Sequence, residues 1–223
     1  MNKHPNKIDA LLFDLDGTLV DTAADFVEAL NAQRARHGFK PLNEQFIRNT
    51  VSNGARALTQ LAFGGKEGEA LFEQYRTEFL EDYMQIVGNY AELFAGMPEI
   101  LKLCEEKKIP WGIITNKPRK FTEKLMSKLD LIDRCSILLC ADDVSQAKPH
   151  PESMFIAAKK LNIDLKKSVY VGDHERDIAA GNAAEMITVT AEYGYIINHS
   201  ELTNWNASHI IQDPRQLKQL FLS

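Results

Sequence analysis

A chain of 223 residues is long enough for one well-buried domain, or for a main domain with a smaller one inserted, and too short for several. Its 44% hydrophobic and 26% charged residues exclude the disordered and fibrous classes. A net charge of −5 offers no general attraction to nucleic acid or an anionic membrane, so an anionic ligand has to be held by a local cluster of donors.

Cysteine usage and the N-terminus narrow the setting. Cys104, Cys135 and Cys140 are odd in number and lack CxxC spacing, which argues for reduced core thiols rather than a disulfide framework or a zinc site. Met1 to Lys7 is polar, and the apolar run after it is broken by Asp14 and Asp16, so no signal peptide is expected. No apolar stretch approaches the roughly 20 residues of a membrane helix. A cytoplasmic protein without membrane or nucleic-acid partners is the expectation.

In chain order, Ile8 to Phe13 is the first apolar run, ending abruptly in Asp and Gly as a buried parallel strand would. From Thr22 to about Tyr90 no strand candidate follows. Apolar residues there keep a helical period, carried by Phe26, Leu30, Phe46, Ile47, Leu58, Leu61, Leu71, Phe72, Tyr75, Phe79 and Tyr83. Beyond residue 96, short aliphatic runs return at Trp111–Thr115, Ile137–Cys140, Ser168–Val171 and Ile187–Val189, with a further candidate at His209–Ile211. Helical spacing fills the gaps between them, and Pro98, Pro118 and Pro151 are placed as first-turn prolines.

This alternation predicts an α/β doubly wound parallel sheet. The first strand needs the later ones to complete its sheet, so the helical stretch is expected to be an insertion folding on itself. The expected domains are an α/β core of residues 1–21 and 91–223 and a helical cap of residues 22–90. Ligands of parallel α/β sheets bind beyond the carboxyl ends of the strands, which would hang the cap over the site.

The chemistry-bearing residues follow the runs. Asp14 and Asp16 close the first, before Gly17 and Thr18; Thr115 and Asn116 close the second; Lys148 follows the third; Asp173 and Asp177 follow the fourth through Val171 and Gly172. Hard carboxylate oxygens suit Mg²⁺, which takes one or two carboxylates and leaves positions for a phosphate. A nucleophile, hydrogen-bond donors, a cation and a second acidic pair are what phosphoryl transfer needs.

These segments, Asp14-Leu15-Asp16-Gly17-Thr18-Leu19, Thr115-Asn116, Lys148-Pro149 and Gly172-Asp173 with Asp177 four residues on, resemble in order and spacing the four motifs of haloacid dehalogenase-superfamily hydrolases across nearly the whole chain. The resemblance implies that Asp14 attacks phosphorus to form an aspartyl-phosphate, and that Asp16 protonates the leaving oxygen and then activates water. It also implies Mg²⁺ on the Asp14 carboxylate, the Asp16 backbone carbonyl and Asp173, with Asp177 orienting this shell, and phosphoryl oxygens on Thr115, Asn116 and Lys148. An acid at position 16 points to a phosphatase or phosphomutase rather than a dehalogenase. A helical cap after the first motif resembles the phosphoglycolate phosphatase and β-phosphoglucomutase branch.

Substrate choice is expected from the cap, where Thr50–Arg56 joins polar donors, a glycine and a cation; Asn53 and Arg56 are the candidate contacts, and Lys117 is a further one beside Thr115-Asn116. Ser52–Ala57, Trp111-Gly112 and Tyr193–Ile196 with Asn204-Trp205 resemble the N-acetylmuramic acid 6-phosphate phosphatases. A small phosphorylated metabolite is therefore the expected partner, with phosphoglycolate hydrolysis or a phosphomutase as alternatives. A receiver-type phospho-acceptor is the rival from another class, and Asp16 and the helical insertion argue against it. His174 is expected to face away from the cation, since Asp173 must point inward and successive side chains diverge.

Overall fold

The computed structural model describes residues 8–222; Met1 to Lys7 and Ser223 lie outside the described residues. Ala10–Phe13 forms strand β1, fully buried, and it pairs in parallel with β4 (Trp111–Ile114) on one side and β6 (Ser168–Gly172) on the other. Being paired on both edges and buried on both faces, it has to be aliphatic throughout, and Ala-Leu-Leu-Phe is. With β5 (Ile137–Leu139), β7 (Ile187–Ala191) and β8 (His209–Ile211), the sheet runs β5-β4-β1-β6-β7-β8, all parallel.

The period-2 alternation of strands distributes the core between two faces. Leu11, Phe13, Ile113, Val169 and Val171 face helices α5 (Met97–Glu106), α6 (Arg119–Lys128) and α9 (Gln216–Phe221). Ala10, Leu12, Ile114 and Tyr170 face α7 (Glu152–Leu161) and α8 (Glu175–Ala183). From β1 the chain winds outward to β4 and β5, then restarts at β6 and winds the other way. The winding therefore reverses beside β1, and its carboxyl end opens a crevice there.

Residues 22–90 hold four helices, α1 (Ala23–Arg36), α2 (Glu44–Arg48), α3 (Gly54–Phe63) and α4 (Ala70–Ile86). Phe26, Leu30, Phe79 and Tyr83 pack into the same core as Leu11 and Phe13, so the block is seated on the sheet. Its two connections pair antiparallel as β2 (Val20–Asp21) and β3 (Glu92–Leu93), a two-residue ribbon too short to leave a sequence signal. Three residues of the apolar pattern point outward: Phe46, Leu71 and Phe155 are exposed while their neighbours Ile47, Phe72 and Met154 are buried. Successive helical residues lie about 100° apart, so only one of an adjacent apolar pair faces the core. Among the described residues no helix is long and apolar enough to cross a membrane. The three cysteines are free, and burial pushes the Cys104 thiol up to about 12.

Asp25, fully buried on α1, ties the start of the block to its return. Its carboxylate accepts from the Gly88 and Tyr90 backbone N–H groups at 2.6 and 2.8 Å. Asp25→Ala leaves both donors without a partner, and urea denaturation is expected to show a loss of about 2–4 kcal/mol, against less than about 1 kcal/mol for an exposed carboxylate such as Glu81.

Candidate active site

Asp14, Thr115 and Asp173 follow β1, β4 and β6 directly, Asp177 lies in the first turn of α8, and Lys148 reaches back from the loop beyond β5. The Asp14 backbone N–H is still on Val171 O at 2.8 Å. The chain then turns at Gly17, whose φ of +82° is disfavoured for other residues, and a Cβ there would lie 2.3 Å from Asp173 Oδ2. That close approach brings the β1 and β6 loops together. Carboxylate oxygens of Asp14, Asp173 and Asp177 lie within 4.8 Å of one another.

One buried lysine answers this acidic cluster. Lys148 Nζ donates to Asp14 Oδ1 at 2.9 Å and Asp177 Oδ1 at 2.7 Å, and contacts Ile114 O and Tyr170 Oη. Burial alone would lower its pKa, but Asp14 and Asp177 outweigh that and raise it. Asp177 is raised as well, to about 6, by burial. Both partners shift upward because one ammonium serves two carboxylates: the lysine is over-supplied with negative charge and Asp177 under-supplied with positive. Asp177 also closes a capping box on α8, accepting from His174 N at 3.1 Å.

Among the described residues Asp173 has no ion-pair partner. It accepts from Thr18 Oγ1 at 3.1 Å, Ser52 Oγ at 2.8 Å and Tyr195 N at 3.1 Å. Burial, then the charges of Asp14 and Asp177, push it up to about 7. Three hard-oxygen carboxylates short of positive charge fit a divalent cation of the Mg²⁺ type.

Asp16 turns away from this trio. Its carboxylate accepts from Thr22 Oγ1 at 2.6 Å and from Lys117 Nζ at 2.9 and 3.2 Å. Each carboxylate of the first motif thus has its own buried lysine. Thr115 Oγ1 accepts from Lys117 N at 3.2 Å, and the Asn116 amide exchanges two bonds with the Lys148 backbone, at 2.9 and 3.1 Å, which fixes the loop carrying Lys148.

Beyond these residues opens a cleft of about 440 Å³. Asp14, Asp16, Thr115, Asn116 and Lys148 line its sheet side, Ser52, Asn53 and Arg56 its helical side, and Phe26, Leu80 and Phe121 its apolar wall. Arg56 is largely exposed and paired with Glu67 at 2.8 Å. His174 faces the helical block: Nδ1 accepts from Arg176 N, and Nε2 lies 3.3 Å from Asn53 Oδ1. Burial and the neighbouring Arg176 lower it to about 4.

Comparison with known proteins decides the family. The profile described as Haloacid dehalogenase-like hydrolase matches residues 11–191, from β1 through β7. The chain belongs to the haloacid dehalogenase-like hydrolases. It is 39% identical to an N-acetylmuramic acid 6-phosphate phosphatase of Pseudomonas aeruginosa over 95% of this chain and 93% of that one. It is 36% identical to a phosphoglycolate phosphatase of Xanthomonas campestris over 93% and 94%. In fold it is similar to the crystal structure of a predicted phosphoglycolate phosphatase from Haemophilus somnus, with a TM-score of 0.83, 24% identity and coverage of 95% and 97%. The protein is a phosphatase of the haloacid dehalogenase family.

Several residues of this phosphatase's site carry no motif signal. Ser52 lies in the loop singled out for specificity, yet its hydroxyl reaches Asp173; Arg176 bonds Ser52 O across the cleft. Tyr83 reads as core from its period, and its hydroxyl contacts Lys117 at 2.7 Å. Each becomes visible only when the helical block is placed on the sheet.

The raised Asp173 makes stability depend on pH. Between about 4 and about 7 the folded protein holds a proton on Asp173 that the unfolded chain releases, so the Asp173 contribution to stability falls as pH rises through that window. In excess chelator, the Tm of the wild type relative to that of Asp173→Asn is expected to fall from about pH 4 to about pH 7, the comparison setting aside the opposite contribution of His174.

Proposed function

We propose that this phosphatase hydrolyses N-acetylmuramic acid 6-phosphate through an aspartyl-phosphate on Asp14. In this reading residues 1–21 and 91–223 are the catalytic core and residues 22–90 the cap that selects the substrate. The observation that carries it is the cleft of about 440 Å³ with Asp14 and Lys148 on one side and Arg56 with Arg76 among its far lining. A two-carbon ester would leave most of that space empty. A hexosamine fills it against the apolar wall, and its lactyl carboxylate would meet the arginines. The high identity to a protein named for that substrate supports the same assignment.

The chain's own residues then divide the chemistry. Asp14, oriented by Lys148, forms the bond to phosphorus as the ester P–O bond breaks. Lys148 and Thr115 hold the phosphoryl oxygens, and Asn116 keeps the Lys148 loop in place. Asp16 gives a proton to the departing sugar oxygen and later takes one from the attacking water. Mg²⁺ held by Asp14, the Asp16 carbonyl and Asp173, with Asp177 behind them, would supply positive charge against the phosphoryl group. The apolar wall of Phe26, Leu80 and Phe121 keeps bulk water from the intermediate.

Asp14→Asn is expected to abolish phosphate release while leaving the thermal transition in place, because a carboxamide is a poor nucleophile. Chelation should remove activity, with Mg²⁺ but not Ca²⁺ restoring it, since Ca²⁺ takes a larger and looser shell; turnover in excess chelator would refute the metal's role. Among phosphate esters, kcat/KM for N-acetylmuramic acid 6-phosphate is expected to exceed that for phosphoglycolate and for N-acetylglucosamine 6-phosphate by roughly tenfold or more. Arg56→Ala should narrow the gap to N-acetylglucosamine 6-phosphate, which lacks only the lactyl group; equal rates on all three esters would refute the substrate assignment.

A further inference from the structure

The motifs account for Lys148 but leave Lys117 without a role. It follows β4 by three residues, and its side chain is 6% exposed. Its ammonium lies 2.9 and 3.2 Å from the two oxygens of Asp16 and 2.7 Å from Tyr83 Oη. It also stands 4.8 Å from the ring centroids of Phe26 and of Tyr83, which stack on each other at 4.2 Å. Asp16 comes from the sheet, whereas Phe26 and Tyr83 come from α1 and α4 of the helical block.

A carboxylate two bonds from its backbone rotates about χ1 and χ2 unless donors fix it. Here Thr22 Oγ1 holds Oδ1 and Lys117 spans both oxygens, leaving one orientation. The lysine stem is itself mobile, with four rotatable bonds. The Tyr83 hydroxyl and the ring pair hold its head in a largely desolvated position, where cation–π contact is stronger than at an exposed site. The chain of contacts runs from α4 through Tyr83 and Lys117 to Asp16.

We infer that Lys117 is a positioning residue for Asp16, and that the Tyr83 hydroxyl holds Lys117 in that role. The carboxyl that handles the leaving-group proton is therefore aimed correctly only while α4 is packed over the sheet. The inference rests on the proposed role of Asp16 as proton donor. In the step concerned, the P–O ester bond breaks as the Asp14–phosphorus bond forms, its electron pair stays on the ester oxygen, and Asp16, having taken up a proton before the step, passes it to that oxygen and is left as the carboxylate that Lys117 and Thr22 hold. An alkoxide needs that proton to leave; p-nitrophenolate does not. Misaiming Asp16 therefore slows the cleavage of alkyl esters selectively, whereas its later role toward water is common to both esters; loss of packing is not selective.

The test compares kcat and KM on N-acetylglucosamine 6-phosphate and p-nitrophenyl phosphate for the wild type, Tyr83→Phe, Lys117→Met, Lys117→Arg and Asp16→Asn. Tyr83→Phe is expected to lower the ratio of alkyl to aryl kcat/KM, which reports ester cleavage and not the later attack of water that both esters share, about tenfold and Lys117→Met about a hundredfold, with Lys117→Arg in between. Tyr83→Phe keeps the ring stack and carries the test alone if Lys117→Met does not fold. An unchanged ratio in Tyr83→Phe overturns the inference, and so does a rise in KM at constant kcat on both esters alike, which would make Lys117 a substrate contact. Asp16→Asn separates the two levels. If it depresses the ratio while Tyr83→Phe does not, the positioning role fails and the proton-donor reading stands; if it leaves the ratio unchanged, the proton-donor reading itself fails.

Discussion

Carboxylates at the buried end of a parallel sheet are the constraint on which this structure turns. Transfer of a charge into a low-dielectric interior costs several kcal/mol even after relaxation, and removing one partner of a buried pair costs about 3–5 kcal/mol. The chain places Asp14, Asp16, Asp173 and Asp177 near neighbouring strand ends and, among the described residues, buries two lysines beside them. Lys148 neutralises Asp14 and half-satisfies Asp177; Lys117 neutralises Asp16. Asp173 is left with hydrogen bonds alone, so a further positive charge is what the site lacks.

That shortage connects fold to function. The winding reverses beside β1, so the ends of β4, β1 and β6 are side by side, and Lys148, which follows β5, reaches into the same crevice. Two glycines permit the crowding: a side chain at Gly17 would strike Asp173, and one at Gly172 would strike Asp177 at 2.3 Å. The helical block then completes the walls. Ser52 reaches Asp173, Asn53 meets His174, and Tyr83 meets Lys117, so the block meets the site at two places, the turn at 51–53 and α4.

The strand-end residues were legible because each follows a short, β-branched or aliphatic run that can only be a buried strand, and because hard acids beside Gly and Thr have few structural reasons to be there. Asp14, Asp16, Thr115, Asn116, Lys148, Asp173 and Asp177 all arise from local sequence in this way. Arg56 was legible as a cation between helices, whereas the structure places it in the first turn of α3 and pairs it with Glu67. Lys117 reads from sequence as a substrate contact, and the fold turns it toward Asp16. Ser52 was legible only as a polar donor of the Thr50–Arg56 stretch, and Tyr83 and Arg176 gave no site signal, because what distinguishes all three is a contact across more than 30 positions of chain.

By itself, then, the sequence determined the alternating α/β core, the helical insertion and the acidic set at the strand ends, since periodicity and turn chemistry are local properties of the chain. Tertiary structure alone decided which carboxylate each lysine serves, which residue of the helical block His174 meets and which hydroxyls of that block reach the centre. Those choices depend on how far a side chain reaches between elements distant in sequence, and no local pattern encodes that distance.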